Sequence, residues 1–369
     1  MLALHSDVFR FLVLLAFVLA ACGESRVTDE QVMRVHRSAL LIDTHNDVTS
    51  ETIKSFDIGS VSNRTHTDIP RLRKGDVGAL FFAVYVASSY VKEGRAAHRA
   101  LEMIDTVRHD IVNRHRDQVQ MAASADGIVA ARKAGMIAAL MGIEGGHAIE
   151  DNLRLLRSFY GLGVRYMTLT HSNTNNWADS SGDLERKDVK HHGGLTDFGR
   201  EVVREMNRLG MIIDVSHVAD ETFWDVLETS TAPVFASHSS CRSIAPIARN
   251  MTDEMIAAMA KKGGVIQINF GCQFLTPTRS RRATLADVVK HINHAVKIAG
   301  IDAVGIGSDY DGVSCVPEGL EDVSKFPSLT RALLEEGYSE ESIRKIYGGN
   351  TLRVMRAAEK VSQAGAPAR

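Results

Sequence analysis

Aromatic residues are scarce in this 369-residue chain, at 6% of positions, and neither sign of charge dominates: 43 Lys and Arg stand against 45 Asp and Glu, a net charge of −2. That balance excludes the basic footprint of a nucleic-acid binder or a polybasic membrane-surface protein. Cysteine is also rare. Beyond Cys22 only Cys241, Cys272 and Cys315 occur. They are odd in number and lack zinc-finger spacing, which argues against a fully paired disulfide framework. The core is therefore expected to hold together by packing. No repeat or low-complexity tract stands out. What is present is 44% hydrophobic residues, enough for one large α/β domain or two ordinary ones.

The N-terminus stands apart. Arg10 precedes an apolar run from Phe11 to Ala21 that is short for a transmembrane helix and reads as a signal h-region. The run ends in Leu19, Ala20, Ala21 and Cys22, which resembles a bacterial lipobox. Cleavage there would leave Cys22 lipidated, and two or three acyl chains anchor a protein strongly to a membrane. Gly23 rather than Asp follows Cys22, which leans toward the outer membrane of the bacterial cell envelope. A plain secretory signal with an incidental Cys is the alternative. Residues 1–22 are accordingly read as leader, 23–35 as linker, 36–358 as one folded domain and 359–369 as a flexible tail.

Eight apolar runs read as buried strands: 39–45, 79–86, 137–144, 164–171, 210–217, 232–238, 263–270 and 303–311. They are continuously apolar rather than alternating, as parallel strands covered on both faces are. Between most of them lie amphipathic segments that open on Thr and close on Gly, among them "TDFGREVVREMNRLG" and "TLADVVKHINHAVKIAG". Strands alternating with helices predict a (β/α)8 TIM barrel with a C-terminal helical extension; an open doubly wound sheet is the runner-up.

The stretch "LLIDTHNDVTS" raises the chemical question. H-x-D occurs four times, at His5/Asp7, His45/Asp47, His66/Asp68 and His115/Asp117, and about one match is expected from composition alone, so the pattern itself says little. Position separates them. Only His45/Asp47 ends a buried run, where residues i and i+2 of an extended chain point the same way. Other runs end in Glu144, His171, His217, His238 and Asp309. Barrel active sites collect at the C-terminal ends of the strands. One such His alone is more often a strand cap; six ionisable ends together are not. Three His, one Asp and one Glu suit two divalent ions such as Zn²⁺, with Glu144 the natural bridging carboxylate.

At this point the chain resembles the membrane (renal) dipeptidase family, peptidase family M19, of the amidohydrolase type. The blocks that carry it span 36–357: "IDTHND", "IPRLRKGDVGALFF", "IEGGHAIEDNLRLLRSFYGLGVRYMTLTHSNTNNWADS", "IDVSH", "FASHSS", "RNMTDEM" and "VGIGSDYDGV". The resemblance implies two Zn²⁺ per chain, one on His45 and Asp47, the other on His217 and His238, with Glu144 shared and a hydroxide between the ions as nucleophile. It implies that His171 contacts substrate and stabilises the tetrahedral intermediate. Arg249 would read the substrate's terminal carboxylate, against the plainer reading of a surface ion pair. Asp309 would move the proton from water to the leaving amine, with Asp311 its rival. Asp43, Asp214 and His147 are expected as supporting hydrogen-bond partners. A dipeptide substrate, L-D dipeptides included, a β-lactam side activity and a homodimer are further implications. Three positions depart from the family pattern: Leu80 stands where many members carry Gln, "SNTNN" lacks the cysteine of the mammalian enzymes, and Gly271 replaces an aromatic, which predicts a more open pocket. Other readings keep the metals but take N-acyl amino acids or lactones, or make the chain a non-catalytic binding lipoprotein.

Overall fold

The computed structural model describes residues 27–277 and 281–364; the leader and Cys22 lie outside them. Nine parallel strands form one sheet: β1 (Leu41–Asn46), β2 (Val77–Tyr85), β3 (Val119–Met121), β4 (Ile137–Glu144), β5 (Val164–Thr168), β6 (Ile212–Asp214), β7 (Phe235–Ser239), β8 (Val265–Ile268) and β9 (Val304–Ile306). The order is β1-β2-β4-β5-β6-β7-β8-β9, with β3 a short addition on the outer path of β4. The ring closes between its first and last strands. Asn46 bridges Tyr310, the Asp47 N–H donates to the Tyr310 carbonyl at 2.9 Å, and the Asp309 N–H donates to the His45 carbonyl at 3.1 Å. This is the (β/α)8 barrel, and the open sheet is excluded. All eight apolar runs supply a strand of the ring; β3, with only three residues, carried no periodic signal.

Alternation decides what each strand faces. Ala79 and Phe81 of β2 pack with Ile42, Leu140, Tyr166 and Phe235 in one buried cluster, while Leu80 and Phe82 join the larger cluster shared with the surrounding helices. Leu80 therefore belongs to the strand–helix layer, and its departure from the family pattern falls outside the cavity. The helices begin and end where their caps predict. Thr196 caps Asp197–Leu209, which stops at Gly210 with φ of 77°, and Thr284 with Asp287 forms a capping box on Leu285–Ala299.

Both margins of the domain need correction. Residues 29–35, read as linker, form most of the helix Asp29–Ser38, capped by Thr28 and docked through buried Val32, Val35 and His36. Residues 359–364, read as tail, continue the helix Asn350–Ala364, and the Glu359 carboxylate accepts from the Ala125 N–H at 2.8 Å. Cys272 and Cys315 form a disulfide with a Cα–Cα distance of 5.5 Å, leaving Cys241 free and buried. Packing is thus not the only tie. The bond joins the segments that follow β8 and β9 across a sequence separation of 43. Constraint of the unfolded chain by such a loop is worth about 2–4 kcal/mol. Replacing both cysteines by Ser should lower unfolding free energy by that amount in a denaturant titration, and should make the midpoint insensitive to reductant.

Candidate metal centre

The ionisable strand ends converge at the C-terminal mouth of the barrel. Glu144, ending β4, is buried, and its two oxygens face different partners. Oε1 lies 3.1 Å from His217 Nε2 and 3.2 Å from His238 Nε2. Oε2 lies 3.6 Å from His45 Nε2, which is itself 3.1 Å from Asp47 Oδ2. His45 and His238 stack with centroids 3.7 Å apart, and the Nε2 atoms of His217 and His238 are 3.0 Å from each other.

Electrostatics fit a cation-binding role. Burial penalises a charge on Glu144, but His45 and His171, then His217 and His238, outweigh it and hold the carboxyl well below its usual range. His217 and His238 are pushed well below the ordinary imidazole range, by burial first and then by nearby Arg249 and neighbouring imidazoles. An ionised carboxylate thus faces two neutral rings, His217 and His238. His45, by contrast, is held well above the ordinary imidazole range, burial opposing its charge but Tyr166, Glu144 and Asp47 outweighing it. A bound ion would take the place of the His45 proton, since a ligating imidazole is deprotonated. His45 Nε2 is a buried atom without a hydrogen-bond partner, aimed at two carboxylates. Unpaired buried polar atoms are costly, and a divalent ion at this point would satisfy it.

Supports lie one layer out. His45 Nδ1 is 2.7 Å from the Tyr166 hydroxyl. His238 Nδ1 is 2.6 Å from Ser237 Oγ, which donates to Asp214 Oδ2 at 2.6 Å. Asp214 thus backs His238 through a serine, while also accepting from the Ser216 and Ser237 N–H groups. Asp43 accepts from the Ser308 N–H and hydroxyl at 2.8 and 2.5 Å, tying β1 to the segment after β9. His147 does not reach the ligands; its Nε2 donates to the Val86 carbonyl at 2.8 Å.

Asp309 and Asp311 both line the cavity but hold different partners. An oxygen of Asp309 lies within 4.8 Å of nitrogens of His45 and His238, and Asn269 donates to its Oδ2 at 2.8 Å. Its carboxyl is pushed up to about 7 by burial, with Asp47 and Glu144 adding to the rise against the pull of His45. Asp311 lines the same cavity and is likewise pushed up to about 7, by burial first, but it is tied to His66, accepting from the His66 N–H at 2.6 Å while its own N–H donates to His66 Nδ1 at 3.0 Å. Gly312 explains how close the turn comes: a Cβ there would fall onto both Asp309 Oδ1 and Asp47 Oδ2.

His171 stands beyond the end of β5, its side chain 23% exposed, with Nε2 3.9 Å from Glu144 Oε1. Its ring sits against Tyr85 and His217, at 4.8 and 4.5 Å between centroids. Asp179, in the loop that follows, does not hold this ring; its carboxylate accepts from the N–H groups of His192, Gly193 and Gly194. Arg249 is no surface ion pair. Nη1 donates to Ser239 Oγ and Nη2 to the His238 carbonyl, each at 2.7 Å, and Phe274 lies 5.4 Å from the guanidinium carbon. Its Nε is buried and without a partner. The cavity over the cluster measures about 370 Å³ and is lined by Asp47, Tyr85, Glu144, His171, Phe274 and Asp309 among others. Gly271 does not open it as expected, because Phe274 and Val313 occupy the space beside that glycine.

Other H-x-D pairs serve the fold. Asp68 caps the helix Ile69–Lys74 and pairs with Arg71, and His115 binds Asp57; His5/Asp7 lies outside the described residues. Sequence reasoning missed Tyr85, Tyr166, Ser237 and Asn269, none of which carries a recognisable pattern.

Comparison with known proteins decides the family. The family model "Membrane dipeptidase (Peptidase family M19)" matches residues 29–368. The chain belongs to the membrane dipeptidase family. The dipeptidase verJ of Clonostachys rogersoniana is 38% identical over 338 residues, 87% of this chain and 85% of that protein. A metallopeptidase from Rhodobacter sphaeroides, solved with a phosphinate mimic of the dipeptide L-Ala-D-Ala, superposes with a TM-score of 0.79 at 26% identity, covering 87% of this chain and 99% of the other. The M19 metallopeptidase dipeptidase AC gives 0.78 at 27% identity, over 87% and 98%.

Gly312→Ala should keep the fold by circular dichroism but displace Asp309 or Asp47. A misplacement of about 1 Å costs on the order of 100-fold in rate. Wild-type turnover in this variant would mean that the loop yields freely.

Proposed function

We propose that this metallopeptidase is a dinuclear zinc dipeptidase that hydrolyses free dipeptides, L-D dipeptides included, from a lipid-anchored position in the bacterial cell envelope. The observation that carries the reading is the divided Glu144 carboxylate, one oxygen toward His45 and the other between His217 and His238. His45 and Asp47 would hold one Zn²⁺, His217 and His238 the other, with Glu144 joining both. Two such ions supply a water acidified to near-neutral pKa and a polarised scissile carbonyl.

The chain's own groups account for the rest. Asp309, held by Asn269 beside His45 and His238, accepts the proton of the attacking water and returns it to the leaving amine. His171, at the rim, donates to the oxyanion that develops on the carbonyl. Arg249 reads the terminal carboxylate with the donors it has left; a planar guanidinium matches a carboxylate bidentately. The L-Ala-D-Ala mimic bound by the Rhodobacter relative supports the L-D class of substrate. Cys22 is the proposed lipid-bearing residue. A disulfide persists in oxidising compartments, so the Cys272–Cys315 bond supports export. No described helix is long and apolar enough to cross a membrane.

Zinc-loaded protein lacking residues 1–22 should bind two ions per chain by elemental analysis and cleave both L-L and L-D dipeptides; protein that is active without metal would sink the reading. Glu144→Gln should lower turnover by more than about 100-fold and weaken both ions, since even indirect ligand supports are worth 10–100-fold. Arg249→Ala should raise KM for free dipeptides by about 10- to 100-fold, the loss of a charged hydrogen-bond pair, with kcat less affected. An unchanged KM would favour N-acyl amino acids or lactones instead.

A further inference from the structure

Tyr166 belongs to no ligand set, yet the site reaches it. It lies on β5, fully buried inside the ring, between Phe81 of β2 and Phe235 of β7 at centroid distances of 5.3 Å each. Its register partner on β4 is Gly142, and a Cβ on that glycine would fall inside the phenol ring. Gly142 and Tyr166 are therefore one packing unit. The barrel interior fixes the ring, and the hydroxyl emerges 2.7 Å from His45 Nδ1.

The opposite nitrogen of that imidazole, Nε2, is the buried atom without a partner that faces Asp47 and Glu144. An imidazole ligates through a bare nitrogen. With Nε2 presented to the site, the ring proton belongs on Nδ1, where it donates to the phenol oxygen. We propose that Tyr166 is a positioning residue of the metal centre: its hydroxyl holds the His45 tautomer and ring plane that the ion position at the end of β1 requires. The assignment rests on the dinuclear reading above.

The two ion positions are then braced differently. His238 is backed by a carboxylate, Asp214, through Ser237. His45 is backed by a neutral phenol alone among the side-chain bonds of its ring. Loss of the phenol oxygen should loosen the His45 position and leave the His217/His238 position in place.

Tyr166→Phe tests this, since it keeps the ring against Phe81, Phe235 and Gly142 and removes one oxygen. Tyr347→Phe is the control; that hydroxyl is equally buried but bonds Thr330 at 2.7 Å, away from the ligands. Wild type and both variants are loaded with Zn²⁺ or Co²⁺ and titrated with a chelator. Ions per chain are counted by elemental analysis, the Co²⁺ absorption is followed, and the fold is checked by circular dichroism. The expected result is that Tyr166→Phe surrenders one ion at a chelating strength about 10- to 100-fold weaker than wild type needs, with a changed Co²⁺ spectrum, and keeps the second. Tyr347→Phe should follow wild type. A Tyr166→Phe release curve that matches wild type, or equal loss from both positions, overturns the assignment alone. A wild type that takes up fewer than two ions overturns the dinuclear reading and this assignment with it.

Discussion

One buried carboxylate sets the terms for the rest of the structure. Glu144 lies in the mouth of the barrel with imidazoles on either side, and charge in that setting is tolerated only when it is surrounded by matched partners. The rings must keep their faces and protons in order around it, so the next layer is devoted to holding them. Ser237 and Asp214 hold His238, Tyr166 holds His45, and Tyr85 flanks His171. The closure between the first and last strands, made by backbone bonds of Asp47 and Asp309, is reinforced there by Ser308, which donates to Asp43.

Some of the backbone here is held away from its comfortable conformations. His217, Asp309 and Asp311 have φ of 69°, 61° and 69°, in the left-handed region that glycine prefers. Each costs roughly 1 kcal/mol or more and persists only when its surroundings over-determine it. The surroundings do so. The His217 carbonyl accepts from the Ser181 N–H and hydroxyl, and the Asp309 N–H is committed to His45 across the closure. These residues leave their strands abruptly, which turns their side chains inward over the cavity instead of along the next loop.

That abruptness also marks where sequence reading stopped being informative. The ligand candidates were legible because each follows a continuously apolar run, and the physics that buries the run delivers its last residue to the rim. Strand ends were overdrawn: β5 stops at Thr168 and β9 at Ile306, well before His171 and Asp309. Burial continues past the last ladder bond, through Leu169 and Thr170 after β5 and Ser308 after β9, and nothing in the composition marks where pairing ends. Tyr166 reads as one more core aromatic, and only the ring geometry shows where its hydroxyl arrives. The Cys272–Cys315 bond depends on the meeting of two rim segments that no spacing encodes. Helical residues 29–35 and 359–364 looked like margins because they carry few apolar positions, and their docking is made by neighbours distant in sequence.

The closure of the barrel has a consequence for the order of assembly. A growing chain exposes His45 and Asp47 long before Asp309, which supplies the hydrogen bond that fixes the His45 carbonyl, has been made. The candidate ligands come from β1, β4, β6 and β7, spread from His45 to His238 along the chain, and the ring that gathers them is shut by its last strand. Metal cannot nucleate such a fold in the way it nucleates a small zinc module, whose ligands lie close together in the chain. An ion held by all of these residues would be captured late in maturation, and the compartment in which folding finishes would then also supply the metal.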